Sequence, residues 1–350
     1  MPLRCLDPTG QSLHAFDLSE EQWRALERAN RVARHLRMPC CQAAVMLKTS
    51  RRGTRFFAHK AAGTCATAPE REEHLRLKAM AVAAARANGW EAQTEVAGAA
   101  GPDEPWRADL LARKGRHVVA VEFQWSAQTA EETMRRQERY RRSGVRGLWL
   151  LRRSDFPITR DLPAVRIGGD LERGFTAIVP PGEHQELPMA AFLEAAFAHR
   201  FRYGVPSRGR AELTVRAAWT PCWHERCHAR TRIVTQVEVT FGPNTCGFSI
   251  RELGQHPELL RRVLDRLPPA AGLGRIKRRY SKALEESYIS NGCIRCDRLY
   301  GEHFEADVRD DEEVLCAFPL PLSDDVRSAI KAQQDGFEQW SVYPPGVLAV

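Results

Sequence analysis

Asp109 and Glu122 are the residues of this 350-residue chain whose types and spacing first suggest chemistry. Each borders a short apolar run, Leu110–Ala112 after the aspartate and Val118–Val121 before the glutamate. The basic turn Arg113-Lys114-Gly115-Arg116 separates the runs. Two such runs about a glycine-containing turn predict a β-hairpin. With Gly115-Arg116 as its two-residue loop, Asp109 and Glu122 stand opposite one another. Carboxylates that close repel unless a cation sits between them. A divalent metal is the simplest resolution, and one or two carboxylates plus waters suit Mg2+, with Mn2+ as the substitute. The carbonyl of Phe123 is a third candidate ligand. The plainer reading is a solvated face, or a cross-strand pair with a basic residue.

The flanking elements must hold that hairpin in place. Pro69 to Asn88 reads as a helix. Leu75, Leu77, Met80, Val82 and Ala83–Ala85 give it an apolar side. Glu70, Glu72 and Glu73 load its first turn with acid, as the helix dipole favours, and Gly89 ends it. His74 and Lys78, four apart, share one face. Trp90–Val96 reads as a strand with Glu95 near its end. After the hairpin, Thr129–Arg142 is a basic helix, and Leu148–Leu151 suits a buried strand. The order helix, strand, strand, strand, helix, strand predicts an α/β chain with a mixed sheet flanked by helices.

That order, with Asp on the second strand and Glu-x-polar on the third, is the layout of PD-(D/E)xK nucleases. The set Glu73-His74-x-x-x-Lys78, Glu95, Arg107-Ala108-Asp109-Leu110, Val121-Glu122-Phe123-Gln124-x-Ser126 and Arg136-x-x-x-Tyr140 resembles the competence-protein CoiA-like nuclease family. Met38-Pro39-Cys40-Cys41 and the segment Gly53–His59 resemble the N-terminal region of that family. The resemblance spans about residues 38–152. It implies a PD-(D/E)xK-type fold and metal-assisted phosphodiester hydrolysis, with DNA processing during uptake and recombination as the setting. Asp109 and Glu122 are then the metal ligands. Glu95 is a candidate for a second metal or for positioning water. The generic superfamily has Lys two residues after the Glu; here, as in the CoiA-like branch, that position is Gln124. A glutamine cannot neutralise the transition state, though it can hydrogen-bond a water or phosphate oxygen. Lys78 is the candidate to supply the cation from the helix, against the reading of an ordinary solvated helix residue. His74 is either a site residue or an ordinary first-turn histidine.

The chain carries 52 Lys and Arg against 44 Asp and Glu, a net charge of +8. That excess is modest, but it is clustered. Arg135, Arg136, Arg139, Arg141 and Arg142 form one group and Arg275-Ile276-Lys277-Arg278-Arg279-Tyr280 another. Such runs grip phosphates without reading sequence; each also fits a solvated helix face. DNA is the expected partner, and RNA is not separable from it at this level. No run of 18 apolar residues is present, and Met1–Cys5 lacks the apolar stretch of a signal peptide. The expectation is a cytoplasmic protein without membrane contact, its ten cysteines reduced.

Reduced cysteines at short spacing favour metal over disulfide. Cys222-x4-Cys227 and Cys293-x2-Cys296 offer four thiolates to one tetrahedral zinc, closing the base of the insertion between them. His224, His228 and His303 are reserve ligands, and two separate sets of buried thiols are the plainer reading. Within that insertion, Ile233–Phe241 reads as a strand and 256–266 and 276–286 as helices. Cys40, Cys41, His59 and Cys65 form a poorer metal set, because adjacent cysteines rarely serve one ion. Its alternative is a small β-hairpin module with Phe56 and Phe57 in the core. Cys5, Cys246 and Cys316 read as structural.

The expected organisation is an N-terminal module over 1–66 with a helix at about 18–36, a nuclease core over 67–153, a connector and helix over 154–209, and a zinc-binding domain over 210–350. Three functions compete: a metal-dependent DNA nuclease serving competence, repair or defence; a nucleic-acid-binding protein with a nuclease fold but little cleavage; and a zinc-stabilised partner-binding module.

Overall fold

The structure, a computed structural model, describes residues 2–60, 70–125, 128–153, 155–180, 185–333 and 337–348. Cys65, Pro69 and Ser126, singled out above, lie outside the described residues. Contacts divide the chain into two compact units, Met1–Phe201 and Arg202–Val350. No helix is long and apolar enough to cross a membrane among the described residues.

The first unit opens with β1 (Arg4–Leu6), β2 (Ser12–His14), α1 (Glu20–Ala33), β3 (Val45–Thr49) and β4 (Arg55–His59). Helix α1, expected at about 18–36, is capped by Ser19. The Gln22 N–H donates to Ser19 Oγ, and the Ser19 N–H donates to Gln22 Oε1. Trp23, Leu36, Met38, Leu47 and Phe57 close a small core beneath the β3–β4 hairpin.

There follow α2 (Glu72–Ala87), β5 (Glu91–Ala99), β6 (Pro105–Lys114), β7 (His117–Gln124), α3 (Ala130–Arg142), β8 (Arg146–Leu151), β9 (Ala164–Asp170), β10 (Gly174–Val179), β11 (Gln185–Pro188) and α4 (Met189–Phe197). The strands form one mixed sheet of seven, in the order β11-β10-β9-β8-β7-β6-β5. β8 runs parallel to β7 and β9; the other neighbours are antiparallel. The β6–β7 hairpin has the expected register, from Lys114↔His117 to Leu110↔Val121, and Gly115 supplies the left-handed turn at φ +54. Helix α2 packs on β5, β6 and β7, burying Leu75, Leu77, Ala81, Val82 and Ala85. Helix α3 packs on β6 and β8, joining Tyr140 to Trp149 and Leu111.

The sheet does not stop at residue 153. β9, β10 and β11 come from the segment read as a connector and extend the same sheet. The prolines there punctuate rather than break: Pro157 and Pro163 precede β9, and Pro180 follows β10. Between them Val165, Ile167, Ala177, Ile178 and Val179 are buried as sheet core.

The second unit contains β12 (Phe201–Tyr203), β13 (Arg210–Pro221), β14 (Arg230–Phe241), β15 (Asn244–Phe248), α5 (Ile250–Leu253), α6 (Pro257–Leu264), β16 (Lys277–Ser281), β17 (Glu286–Gly292), β18 (Leu299–Tyr300), α7 (Glu302–Asp307), β19 (Glu313–Pro321), α8 (Asp324–Ala332) and β20 (Trp340–Val342). An antiparallel sheet, β15-β14-β13-β19, buries Leu213, Val215, Val237, Val239 and Phe241 against Leu259, Val263, Val326 and Ile330. The helix expected at 276–286 is instead the β16–β17 hairpin, turned at Glu285 with φ +53. Tertiary contacts override helix propensity here. The Arg279 guanidinium donates to the carbonyls of Arg275, Ser290 and Asp297, at 2.7, 2.7 and 3.0 Å, which only the hairpin brings together.

In this unit Asn291 stands in for a strand neighbour of β14. It accepts from the Val234 N–H at 3.0 Å and donates to the Val234 carbonyl and to Glu305 Oε1, both at 2.8 Å. Burial first, and the charge of Glu302, push the Glu305 carboxyl up to about 8 against the Asn291 hydrogen bond. A carboxyl raised in the folded state binds its proton more tightly there than in the unfolded chain. Its contribution is therefore complete below the ordinary value of 4.5 and is lost as pH rises to about 8. Denaturation of the second unit between pH 5 and pH 8 should show stability falling as pH rises, and Glu305→Gln should flatten that slope. An unchanged slope in the variant would reject the assignment.

Candidate active site and metal centre

Three neighbouring strands each bring one acid to the same level of the sheet. Asp109 lies one step beyond the last β6–β7 pair, Leu110↔Val121, and Glu122 lies one step beyond on the other strand. On the far side of β6, the pairs Thr94↔Leu110 and Val96↔Ala108 leave a gap at Glu95 and Asp109. Glu95 takes φ +58 there, the left-handed region that non-glycine residues seldom occupy. Such strain is on the order of 1–3 kcal/mol and persists only where surroundings enforce it. What enforces it is Lys78.

Lys78 is fully buried. Helix α2 aims its Nζ at Glu95 Oε1 (2.7 Å), Glu70 Oε1 (2.8 Å) and Asp109 Oδ1 (3.7 Å). Burial opposes its charge, but Glu95, Asp109 and Glu70 outweigh that and hold its pKa above the ordinary lysine value. It is not a solvated helix residue. One turn earlier, His74 sets Nε2 3.0 Å from Asp109 Oδ2 and Nδ1 3.7 Å from Glu70 Oε1. Asp109 also accepts from the Phe123 N–H at 2.9 Å. Burial works against its ionisation; Lys78, then His74, reverse that and hold its carboxyl well below the usual range.

Glu122 has different partners. Arg136 Nη2 lies 2.5 Å from its Oε2, and the Tyr140 hydroxyl donates to its Oε1. Burial first and the Asp109 charge second push this carboxyl up to about 7, against the pull of Arg136 and Tyr140. Arg136 also reaches Gln124 Oε1 at 3.3 Å and lies 5.0 Å over the Trp149 ring. A cation therefore does stand beside Gln124, and it comes from α3. Arg136, expected as one of a phosphate-gripping run, and Tyr140 instead hold Glu122, and their spacing of four on one helix face is the signal for that pairing. The other arginines of that helix are also ion-paired: Arg135 and Arg139 with Glu132, Arg141 with Glu138, and Arg142 with Glu104.

Glu70, His74 and Asp109 form one possible metal group, with one donor atom from each lying within 4.8 Å of the others. Two carboxylates and an imidazole suit a divalent first-row ion. Glu70, read above only as a first-turn acid, precedes α2 and joins this set; Glu122 stands outside it.

In the second unit Cys222, Cys227, Cys293 and Cys296 converge, with their sulfurs within 4.8 Å of one another. Cys222 and Cys296 are 3.6 Å apart and Cys227 and Cys293 3.7 Å apart. Around a tetrahedral zinc with bonds of about 2.3 Å, sulfurs are about 3.8 Å apart. The four-thiol cluster can hold a structural zinc. Burial alone would raise the Cys293 thiol; N–H groups of Cys296 and Arg295 and the Thr231 hydroxyl instead bring it down to about 6. Left-handed His228 and Asp297, at φ +49 and +58, follow the second cysteine of each pair. His224, His228 and His303 are not in the group. Of the N-terminal set, Cys40, Cys41 and His59 come together.

Residues 70–161 match the family model of the competence protein CoiA nuclease-like domain. No curated protein and no solved structure matches the chain.

Two outcomes are expected. Lys78→Met strands Glu70, Glu95 and Asp109 without their buried cation and should lower unfolding free energy by about 3–5 kcal/mol; adding Glu95→Gln should restore part of it. A loss below about 1 kcal/mol in denaturant titration would show that the lysine is not the hub of this site. In the second unit, Cys293→Ser should release one zinc equivalent relative to wild type and lower the melting temperature. Metal analysis finding equal zinc in both proteins would reject the four-cysteine centre.

Proposed function

With residues 70–161 matching a CoiA nuclease-like domain, we propose that this protein is a metal-dependent nuclease. It hydrolyses DNA phosphodiester bonds from a PD-(D/E)xK-type core and serves DNA processing in competence, repair or defence. The observation that carries the reading is the convergence of Glu70, His74 and Asp109 around buried Lys78, inside the matched segment. Asp109, Glu70 and His74 are the ligands already grouped, and Glu122 would join them on release from Arg136 and Tyr140; the imidazole makes Mn2+ at least as good a fit as Mg2+. A bound ion would polarise the scissile phosphoryl group and acidify a water.

The protein's own groups do the rest. Lys78 keeps Asp109 ionised. Glu95, locked on Lys78 at 2.7 Å, positions that ammonium. Arg136, shared between Glu122 and Gln124, places positive charge where the generic lysine is absent. Gln124 offers its amide to a phosphate oxygen.

A second reading is supported by the same Glu122. Both of its oxygens are already engaged, by Arg136 and Tyr140. A protein locked in that state binds nucleic acid and cleaves little. The zinc-stabilised partner-binding module remains a proposal for the second unit alone.

Cleavage of plasmid, linear duplex and single-stranded DNA, each with Mg2+ and with Mn2+, tests the proposal. Metal-dependent cleavage is expected, with Asp109→Ala and Glu122→Ala slower by roughly 100-fold or more. Arg136→Gln should slow cleavage more than Gln124→Ala does. Wild-type rates in both acid variants would sink the site; salt-sensitive binding without cleavage would select the second reading.

A further inference from the structure

Met38 to Ala43 form a turn that repeats, bond for bond, a cysteine turn of the second unit. In the latter, the Asp297 N–H donates to the Cys293 carbonyl at 3.0 Å and the Cys293 N–H to the Arg298 carbonyl at 2.9 Å; Asp297 is left-handed at φ +58. In the former, the Gln42 N–H donates to the Met38 carbonyl and the Met38 N–H to the Ala43 carbonyl, both at 2.9 Å; Gln42 is left-handed at φ +56. Residue for residue, Met38 occupies the place of Cys293 and Cys41 that of Cys296. This is a turn with which the chain already presents thiolates to a shared centre.

Met38 is fully buried and cannot supply a thiolate. The lost donor is replaced from two sides. Cys40, at the place of Arg295, adds a second sulfur, and His59 adds a nitrogen from the end of β4, where it pairs with Val45. Cys40 Sγ and Cys41 Sγ are 3.7 Å apart. His59 Nε2 lies 3.2 Å from Cys41 Sγ and 4.0 Å from Cys40 Sγ. Around one tetrahedral zinc, two sulfurs are about 3.8 Å apart and sulfur and nitrogen about 3.6 Å apart. The sulfur pair matches one edge of such a tetrahedron, and the two sulfur–nitrogen separations lie on either side of the expected value. Adjacent cysteines rarely share an ion, yet here their sulfurs already have the spacing that sharing requires.

We propose that Cys40, Cys41 and His59 bind a zinc ion of their own, separate from the four-cysteine centre. Cys40 is exposed and Cys41 and His59 are half-buried. The ion is therefore more accessible to a chelator than one in the four-cysteine centre, where Cys222, Cys227 and Cys293 are buried and Cys296 is exposed.

The test is zinc content per chain in the full-length protein, purified reduced and without chelator. Wild type should carry one more zinc equivalent than Cys41→Ser or His59→Ala, whatever the second unit holds. His59→Cys should keep the wild-type complement. A weak chelator should remove this ion before it lowers the melting temperature of the second unit. Equal zinc in wild type, Cys41→Ser and His59→Ala would overturn the proposal. If the variants fail to fold, cobalt titration of the wild-type protein decides. Thiolate-to-cobalt absorption growing in two steps supports two centres, and a single step overturns the second.

Discussion

A lysine with no exposed surface sits among carboxylates from three elements, and the first unit is arranged around that fact. Glu70 arrives from the segment before α2, Glu95 from β5 and Asp109 from β6. An unpaired ammonium at this depth would be costly, and so would the three acids without it. The group is therefore stable only as a whole. This explains the left-handed Glu95, whose normal strand conformation would continue the ladder and face another way. It also explains the helix–sheet packing, because α2 must lie where Nζ reaches both strands. A buried ion group of this kind is a weak source of net stability compared with an apolar core. What it does provide is a fixed charge beside Asp109, keeping that carboxyl ionised and available.

The neighbouring Glu122 is balanced differently. Its own burial and the Asp109 charge favour the neutral form, while Arg136 and Tyr140 favour the ionised one. Two acids on facing strands thus have opposite tendencies, set by which helix each one meets. Asp109 faces α2 and its lysine; Glu122 faces α3 and its arginine. Pairs whose environments drive them apart are a common basis for dividing tasks within one site. A cation binding between them would favour the charged form of both.

The cysteine turns follow another constraint. A tight turn with a left-handed residue after the thiol holds backbone and sulfur in one geometry, and the chain uses it in both units. In the second unit two loops, β13–β14 and β17–β18, meet so that four thiols converge. In the first, only one thiol of the pair is retained at its place, and Cys40 and His59 stand nearby. The shared turn shows how a fixed backbone motif tolerates exchange of the residues that decorate it.

Local pattern determined much of this. Gly115 set the β6–β7 register, apolar periodicity located α2, an apolar run located β8 and a basic stretch located α3, so the level at which Asp109 and Glu122 lie in the sheet was legible before any fold. Cysteine spacing likewise brought out Cys222, Cys227, Cys293 and Cys296. Other features depend on partners remote in sequence. Lys78 has the local signature of a surface residue, and only the approach of β5 and β6 makes it a buried hub. Arg136 and Glu70 look like members of charged helix turns until Glu122 and His74 are placed beside them. The 276–286 segment has helix-compatible composition, and the carbonyls that Arg279 binds turn it into a hairpin. The start of the 154–209 segment read as a connector, whereas β8 offered an open edge that β9 could pair with. The sequence by itself determined which residues alternate, cap and turn, because those preferences act over a few neighbours. The tertiary structure decided which charges meet, because burial and ion pairing depend on distances between elements that no local pattern contains.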